Sequence, residues 1–507
     1  MIGGIMSSLG IPEEAPAGAS SGDVPRQQDA RTADTGPRGP AGRPAAYISW
    51  VTLALMTTSS VASLRAAPTM AVYGLACVFL YLIPAVLFLL PTSLVSAELA
   101  SGWNGGVYRW VSAGISAPAG FLAVWCQFAM TIFYYPSLLG YVASTFAYVI
   151  DPRLADNGPY IALVIIVIYW SGVWVSSRGT KTVAGLSSGG LIIGTLVPGV
   201  LLVALGALFL AQGNAPAAPM DAPHLLPAWT GLASLVLIVN NFLSYAGMEM
   251  NAVHVSSLRE PGRQFPRAMF LATGLVLLIF IIPSLVISWV VPADRLSLTA
   301  GVMQAFDAFF GHFGVRFMTP VLGIMLIAAA LGGMLTWLAG PSKGLLLIGR
   351  AHGYLPPFLT RLNRHGVQQN ILVAQGVFTT VIALLYAFIP DVSSAYWMLS
   401  AITTQVYLIM YGLMFVTAIR LRRNRPDHPR GYRAPALVLL SAVGLLASVA
   451  AFAIGFVPPS QFGNGNPLVY VLIIALGVGV VGLGIPYLFH RFRRPSWKIV
   501  EPDVPVA

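Results

Sequence analysis

The sequence predicts an all-α polytopic membrane protein of about twelve transmembrane helices, with a five-plus-five inverted repeat in which helices 1 and 6 are broken. Three observations carry this reading. Only 9% of the 507 residues are charged and 57% are hydrophobic, whereas soluble domains carry about 25% charged residues. Apolar windows of roughly 20 residues recur along the chain, the length that crosses about 30 Å of hydrocarbon. Runs such as 161–170 (IALVIIVIYW) and 274–291 do not alternate in polarity. That sets aside a β-barrel, whose strands alternate over about ten residues, and leaves the helix as the element that satisfies its own backbone in lipid.

The spans read as 46–65, 73–97, 119–149, 159–176, 183–211, 229–254, 267–291, 315–348, 369–389, 394–420, 435–457 and 467–490. Residues 1–45 are rich in Pro, Gly, Ser, Asp and Arg and lack the apolar core of a signal peptide, so they are expected to be a disordered cytoplasmic tail. A ten-helix core is expected over 46–420. Helices 11 and 12, with a basic loop ahead of them, follow over 421–490, and a short cytoplasmic C-tail over 491–507. Of the 28 Lys and Arg residues, all but Arg65, Arg153, Arg295 and Arg316 fall on one side of these spans. By the positive-inside rule that side is the cytoplasm, and both termini lie there. The net charge of +11 is thereby a topology signal and gives no reason to expect nucleic acid. Cys77 and Cys126 both fall inside spans, as small packing residues.

Twelve spans without a soluble domain imply a transporter, and interrupted spans point to its substrate site. Two are interrupted. Span 1 holds MTTSSVASLRAAP (56–68), small hydroxyl residues followed by Arg65 and a proline; span 6 holds SYAGMEM (244–250). They lie five spans apart, the period of a five-plus-five repeat. A break frees backbone N–H groups for an anion and carbonyls for a cation, a combination suited to a zwitterion. The hydroxyls of span 1 have a second reading, in which they bond back to their own helix carbonyls.

These stretches resemble the amino acid–polyamine–organocation superfamily, and within it the glutamate:GABA antiporter family. The similar segments are MTTSSVAS, LVSAELASGWNGGVYRWV (94–111), LSYAGMEMNAVHVSSLREPGRQFPRAM (243–269), LSLTAGVMQAF (296–306), WLAGPSKGLLL (337–347), YLIMY (407–411) and RGYRAPA (430–436). The resemblance implies an inner-membrane exchanger of amino acids and their amines, built on the fold of the sodium:leucine symporters but generally without sodium. It implies a substrate-carboxylate site at Thr57, Thr58, Ser59 and Ser60. It also implies an amino-group site at Ser244, Tyr245, Ala246 and Gly247, and a border to the substrate path at Tyr407 and Tyr411. Those two tyrosines, four residues apart, share a helix face.

Two positions depart from the family. Glutamate-type members carry a tyrosine late in span 1 where this chain has Arg65, and a glutamate in span 8 where this chain has Gly333, next to Gly332. The resemblance therefore does not carry glutamate or GABA over as the substrate. Arg65 either meets an acidic side chain or snorkels to the outer surface. The glycine pair either enlarges the pocket, near Trp337, or lets helices pack closely.

Ionisable residues within spans are costly and rare. Glu98 is expected to anchor a cytoplasmic loop. Glu249, just past Gly247, is either a proton-linked gate or a strut of the break. His254, about one turn further on, is expected to share its face, and is either an inert interfacial histidine, the commoner case, or a pH-sensing partner of the carboxylate. No HExxH, CxxC or P-loop pattern occurs, and no catalytic residue, metal or cofactor is expected. The expected function is secondary amino acid transport by alternating access, as an amino acid/amine exchanger or as a proton-coupled symporter, with a small-molecule substrate, the bilayer and protons as partners. A non-transporting sensor or a membrane enzyme is the remote alternative.

Overall fold

The computed structural model describes residues 47–103, 105–178, 192–389, 391–460 and 466–499. The expected N-tail, the first residues of span 5 and the last of the C-tail lie outside this set. Among the described residues ten helices are long and apolar enough to cross a membrane: Gly74–Gly102, Ala117–Ile150, Gly158–Ser176, Gly194–Ala211, Pro261–Val290, Met318–His352, Gln369–Phe388, Val392–Asn424, Leu437–Ile454 and Pro467–Phe492. They correspond to ten of the twelve expected spans. The two missing from this set are spans 1 and 6, because each is cut into pieces too short to cross alone.

Spans 3 and 10 form the axis of the bundle. Their most apolar stretches are 67% and 72% buried, against 28% for spans 11 and 12, which lie at its edge. Large apolar side chains such as Leu163, Val200, Leu446 and Leu468 are exposed. A lipid-facing surface requires this, since apolar groups lose nothing in hydrocarbon.

Short helices that the sequence reading did not place follow the second span of each half, at Gly106–Gly114 and Gly301–His312. In each, one face is buried, through Val107, Tyr108, Trp110 and Val111 in the first and Val302, Met303, Phe306 and Phe309 in the second. Their matching places after spans 2 and 7 agree with a five-plus-five repeat. Because an odd number of spans separates the two halves, they sit on opposite sides of the bilayer.

Close helix approach depends on glycine at a few points. A β-carbon at Gly158, at the start of span 4, would lie 2.0 Å from the Tyr386 carbonyl oxygen, whereas one at Gly340 meets nothing within 4 Å. Overpacking typically costs about 1–3 kcal/mol. Gly158→Ala is therefore expected to lower the melting temperature in detergent and Gly340→Ala to leave it unchanged or raise it.

Candidate functional site

Span 1 begins as a helix over Trp50–Val61, capped by Ser49, which accepts the Thr52 N–H. Within it the hydroxyls of Thr57, Thr58 and Ser59 donate to the carbonyls of Leu53, Ala54 and Met56, a pattern that weakens and bends helices. The chain is extended at Ala62 and Ser63 and restarts as a short 3-10 turn, Leu64–Ala66, and a helix, Ala67–Ala71. Pro68 gives the break a local cause: it has no N–H for the Leu64 carbonyl and its ring would collide with that group in a continuous α-helix. The break thus falls two residues beyond the hydroxyl cluster, and Ser63 caps the new start by accepting the Arg65 N–H.

Span 6 runs as Val239–Ser244, turns through Tyr245–Gly247, and resumes at Met248–Asn251. Gly247 has φ +108°, in the region that favours glycine. The Gly247 N–H donates to Glu249 Oε2 at 3.1 Å and to the Tyr411 hydroxyl at 3.0 Å. Glu249 is 2% exposed. Its other bonds come from span 10: the Tyr407 hydroxyl donates to Oε1 and the Tyr411 hydroxyl to Oε2, each at 2.6 Å. The carboxylate therefore clasps the broken span 6 to the unbroken span 10.

A cavity of about 490 Å³ lies where the two breaks meet. Its walls come from spans 1, 3, 5, 6, 7, 8 and 10. Span 3 contributes Met130, Tyr134, Leu138 and Tyr141, and span 8 contributes residues from Leu326 to Pro341. At 1.5 Å per residue that stretch of span 8 corresponds to about 22 Å, so the cavity runs along the bundle.

The expected site residues divide into two groups. Ser59, Ser244, Ala246, Tyr407, Arg65, Gly332, Gly333 and Trp337 line the cavity. Thr57 and Thr58 are buried one turn back, their hydroxyls held by their own helix. Ser60 is in the helix, with its side chain outside the described residues. Tyr245 points away: it is fully buried, donates to the Tyr81 carbonyl at 2.9 Å and packs on Phe280. Gly247 and Tyr411 act one step behind the wall, through Glu249. Glu249 and His254 do not pair. His254 is five residues on, the chain tightens into 3-10 turns from Ala252, and the carboxylate faces the tyrosines of span 10.

Arg65 does not snorkel. It is 8% exposed and lines the cavity. Its Nη1 donates to Ser137 Oγ at 3.1 Å on span 3 and to the Tyr396 hydroxyl at 3.0 Å on span 10, and the guanidinium lies over the Tyr134 and Tyr396 rings. The glycine pair divides its roles: Gly332 is buried, while a β-carbon at Gly333 would meet nothing within 4 Å. Trp337 packs against Tyr134, ring centroids 5.8 Å apart.

Several lining residues were missed from the sequence. Met130, Tyr134, Leu138 and Tyr141 form a stripe at helical spacing, but span 3 is apolar on every face, so its periodicity does not reveal which face meets the cavity. Ser63 was hidden among neighbouring hydroxyls. Glu98, by contrast, anchors a loop as expected. It binds Arg422 through both guanidinium ends, pairs with Arg430 at 3.3 Å and accepts the Ala434 N–H at 2.7 Å. Burial and this carboxylate push the Tyr432 phenol up to about 12. Among the described residues no group of three His, Cys, Asp or Glu side chains is placed to hold a metal.

Residues 48–480 match the amino acid permease family model. The chain is 34% identical to an uncharacterized transporter of Legionella pneumophila, over 87% of its own length and 95% of the relative's. It is 27% identical to a glutamate/gamma-aminobutyrate antiporter of Lactococcus lactis, over 88% and 91% of the two chains. The fold is shared with the crystal structure of MhsT in complex with L-phenylalanine, at a TM-score of 0.50 and 16% identity, covering 81% of this chain and 99% of that one. The family and the named relatives are transporters, not enzymes. With the broken spans, the cavity between them and a match over most of its length, the chain belongs to the amino acid permease family, within the amino acid–polyamine–organocation superfamily.

Proposed function

We propose that this amino acid transporter is an inner-membrane exchanger of amino acids or their amines, working by alternating access with both termini in the cytoplasm. The observation that carries the reading is the cavity at the junction of the two breaks. The substrate carboxylate would sit at the extended Ala62–Ser63 segment beside Ser59 and Ser60, one turn beyond Thr57 and Thr58. The amino group would sit at the Ser244–Gly247 turn, with Tyr407 closing that end. Exchange is favoured by the similarity to an antiporter over 88% of the chain. A second reading, proton-coupled symport, is favoured by Glu249, a buried carboxylate bonded to hydroxyls and an amide and, among the described residues, to no cation.

Counterflow in proteoliposomes tests the choice. For an exchanger, labelled amino acid is expected to enter only when unlabelled substrate is inside, with or without a pH gradient. Entry into empty vesicles driven by a pH gradient would replace exchange with symport. Failure to take up any amino acid or amine would remove the transport assignment.

A further inference from the structure

A second cavity, of about 440 Å³, lies at the end of span 4 and the start of span 9, and shares no lining residue with the first. Trp174, Ser177 and Arg178 line it from span 4, and Asn363, Arg364 and His365 from the loop ahead of span 9; no acidic residue is among its described walls. Asn363 fixes its shape. Its amide donates to the Ser177 carbonyl at 2.8 Å and accepts the His365 and Val367 N–H groups at 2.9 and 3.0 Å, which ties the loop to span 4. Arg178 lies over the Trp174 ring, its guanidinium carbon 3.7 Å from the centroid. A guanidinium stacked this way keeps the N–H donors in its plane for an anion. Arg364 donates through Nε to His365 Nε2 at 3.1 Å. Both arginines are exposed, and neither has an ion pair among the described residues. Two like charges on one cavity repel, and an anion between them relieves the repulsion.

The surroundings say which anion. Trp174 is exposed at the end of a span, the place where tryptophan marks the edge of the hydrocarbon. From there Val373, Val377 and Val381 of span 9 run as an exposed stripe at four-residue spacing, and Leu163 and Val167 are exposed on span 4. The two spans are joined along this surface, where Trp170 Nε1 donates to Thr380 Oγ1 at 3.0 Å. A ligand that uses both features has an anionic head and apolar tails. We propose that this cavity binds the phosphate of an anionic phospholipid of the inner leaflet, with Arg178 and Arg364 on the phosphate oxygens and the acyl chains along spans 4 and 9. Arginine suits phosphate because its fork can meet two oxygens at once, and basic pockets between spans on the cytoplasmic side take such headgroups. The bound lipid clamps the loop between spans 8 and 9 to the end of span 4. The site goes beyond the transport reading and rests on it only for the choice of leaflet.

The test is the melting temperature of the full-length, delipidated protein in a neutral detergent, titrated with phosphatidylglycerol, phosphatidylcholine or inorganic phosphate. A ligand of the folded state raises it. Phosphatidylglycerol is expected to do so saturably and phosphatidylcholine not to. An arginine near a lipid surface contributes about fivefold in affinity, so Arg178→Gln combined with Arg364→Gln is expected to raise the half-saturating lipid concentration roughly twenty-five-fold. Arg263→Gln combined with Arg423→Gln removes two exposed arginines elsewhere on the same side, and is expected to change it by less than about twofold. Equal stabilisation by phosphatidylcholine overturns the proposal. So does a matching loss in the Arg263 and Arg423 pair, which would make the effect a general attraction of the basic surface. If inorganic phosphate stabilises as well as the lipid does and the Arg178 and Arg364 pair abolishes this, the ligand is a soluble anion and the proposal also falls. Should that pair not yield monodisperse protein, Arg364→Gln alone serves, with a shift of about fivefold expected and an unchanged value overturning the proposal. None of these readings involves uptake, so the transport reading is tested separately by counterflow.

Discussion

Glu98→Ala is expected to lower the stability of the folded transporter by roughly 3–5 kcal/mol, the usual effect of removing one partner from a buried ion pair. Glu98 is 1% exposed at the inner end of span 2, and its two oxygens satisfy groups from span 10 and the loop beyond it. Arg430, paired with it, has a side chain that is 1% exposed. Alanine would strand that guanidinium and the Ala434 N–H without giving water access to either. Around the same carboxylate, Ser101 accepts the Tyr432 N–H at 3.1 Å and His428 stacks on Trp103 at 4.4 Å. The loop that follows span 10 should therefore come loose as a unit. The melting temperature in detergent and the yield of monodisperse protein report this. Glu98→Gln, which keeps an acceptor but not the charge, is expected to fall between wild type and alanine.

Glu249→Gln is expected to reduce uptake by about tenfold to a hundredfold, the equivalent of losing one charged hydrogen bond worth about 1.5–3 kcal/mol. The carboxylate accepts three bonds, two from span 10 and one from the break itself. A glutamine offers one acceptor oxygen, and its amide presents N–H groups to a hydroxyl that now has to reorient. Span 6 would still fold, since its turn is formed by Gly247, but its position relative to span 10 would no longer be fixed. Because Tyr407 and Tyr411 act on the same carboxylate, their phenylalanine variants should be non-additive with Glu249→Gln. Uptake kinetics for the single and double variants, with protein level and elution profile as controls, measure it. Independent, additive losses would mean the three groups do not work as one clasp.

The class of fold was legible because lipid imposes it: a chain so poor in charge has few ways to satisfy its backbone. The breaks were legible because Pro68 and Gly247 are local causes, readable without any neighbour. The lining of the cavity was not. Thr57 and Thr58 looked like ligands, yet their hydroxyls are consumed by carbonyls four residues back, a competition that a list of residues does not resolve. Tyr245 sits in the break by sequence but turns toward Tyr81 and Phe280, because helix phase, not proximity, decides which side chain meets the cavity. Arg65 had two readings, and only its burial between spans 1, 3 and 10 separates them. Pairings across hundreds of residues, such as Glu249 with Tyr407, have no local signature at all.

The central claim, that substrate crosses through the cavity between the two breaks, is tested most directly at Gly333. Gly333 lines the cavity, and a β-carbon there meets nothing within 4 Å. Counterflow is to be measured for Gly333→Phe in proteoliposomes, alongside its melting temperature. The account predicts a folded protein with wild-type stability, no counterflow for any amino acid, and no stabilisation by added substrate. Counterflow at the wild-type rate with the phenylalanine in place would contradict it.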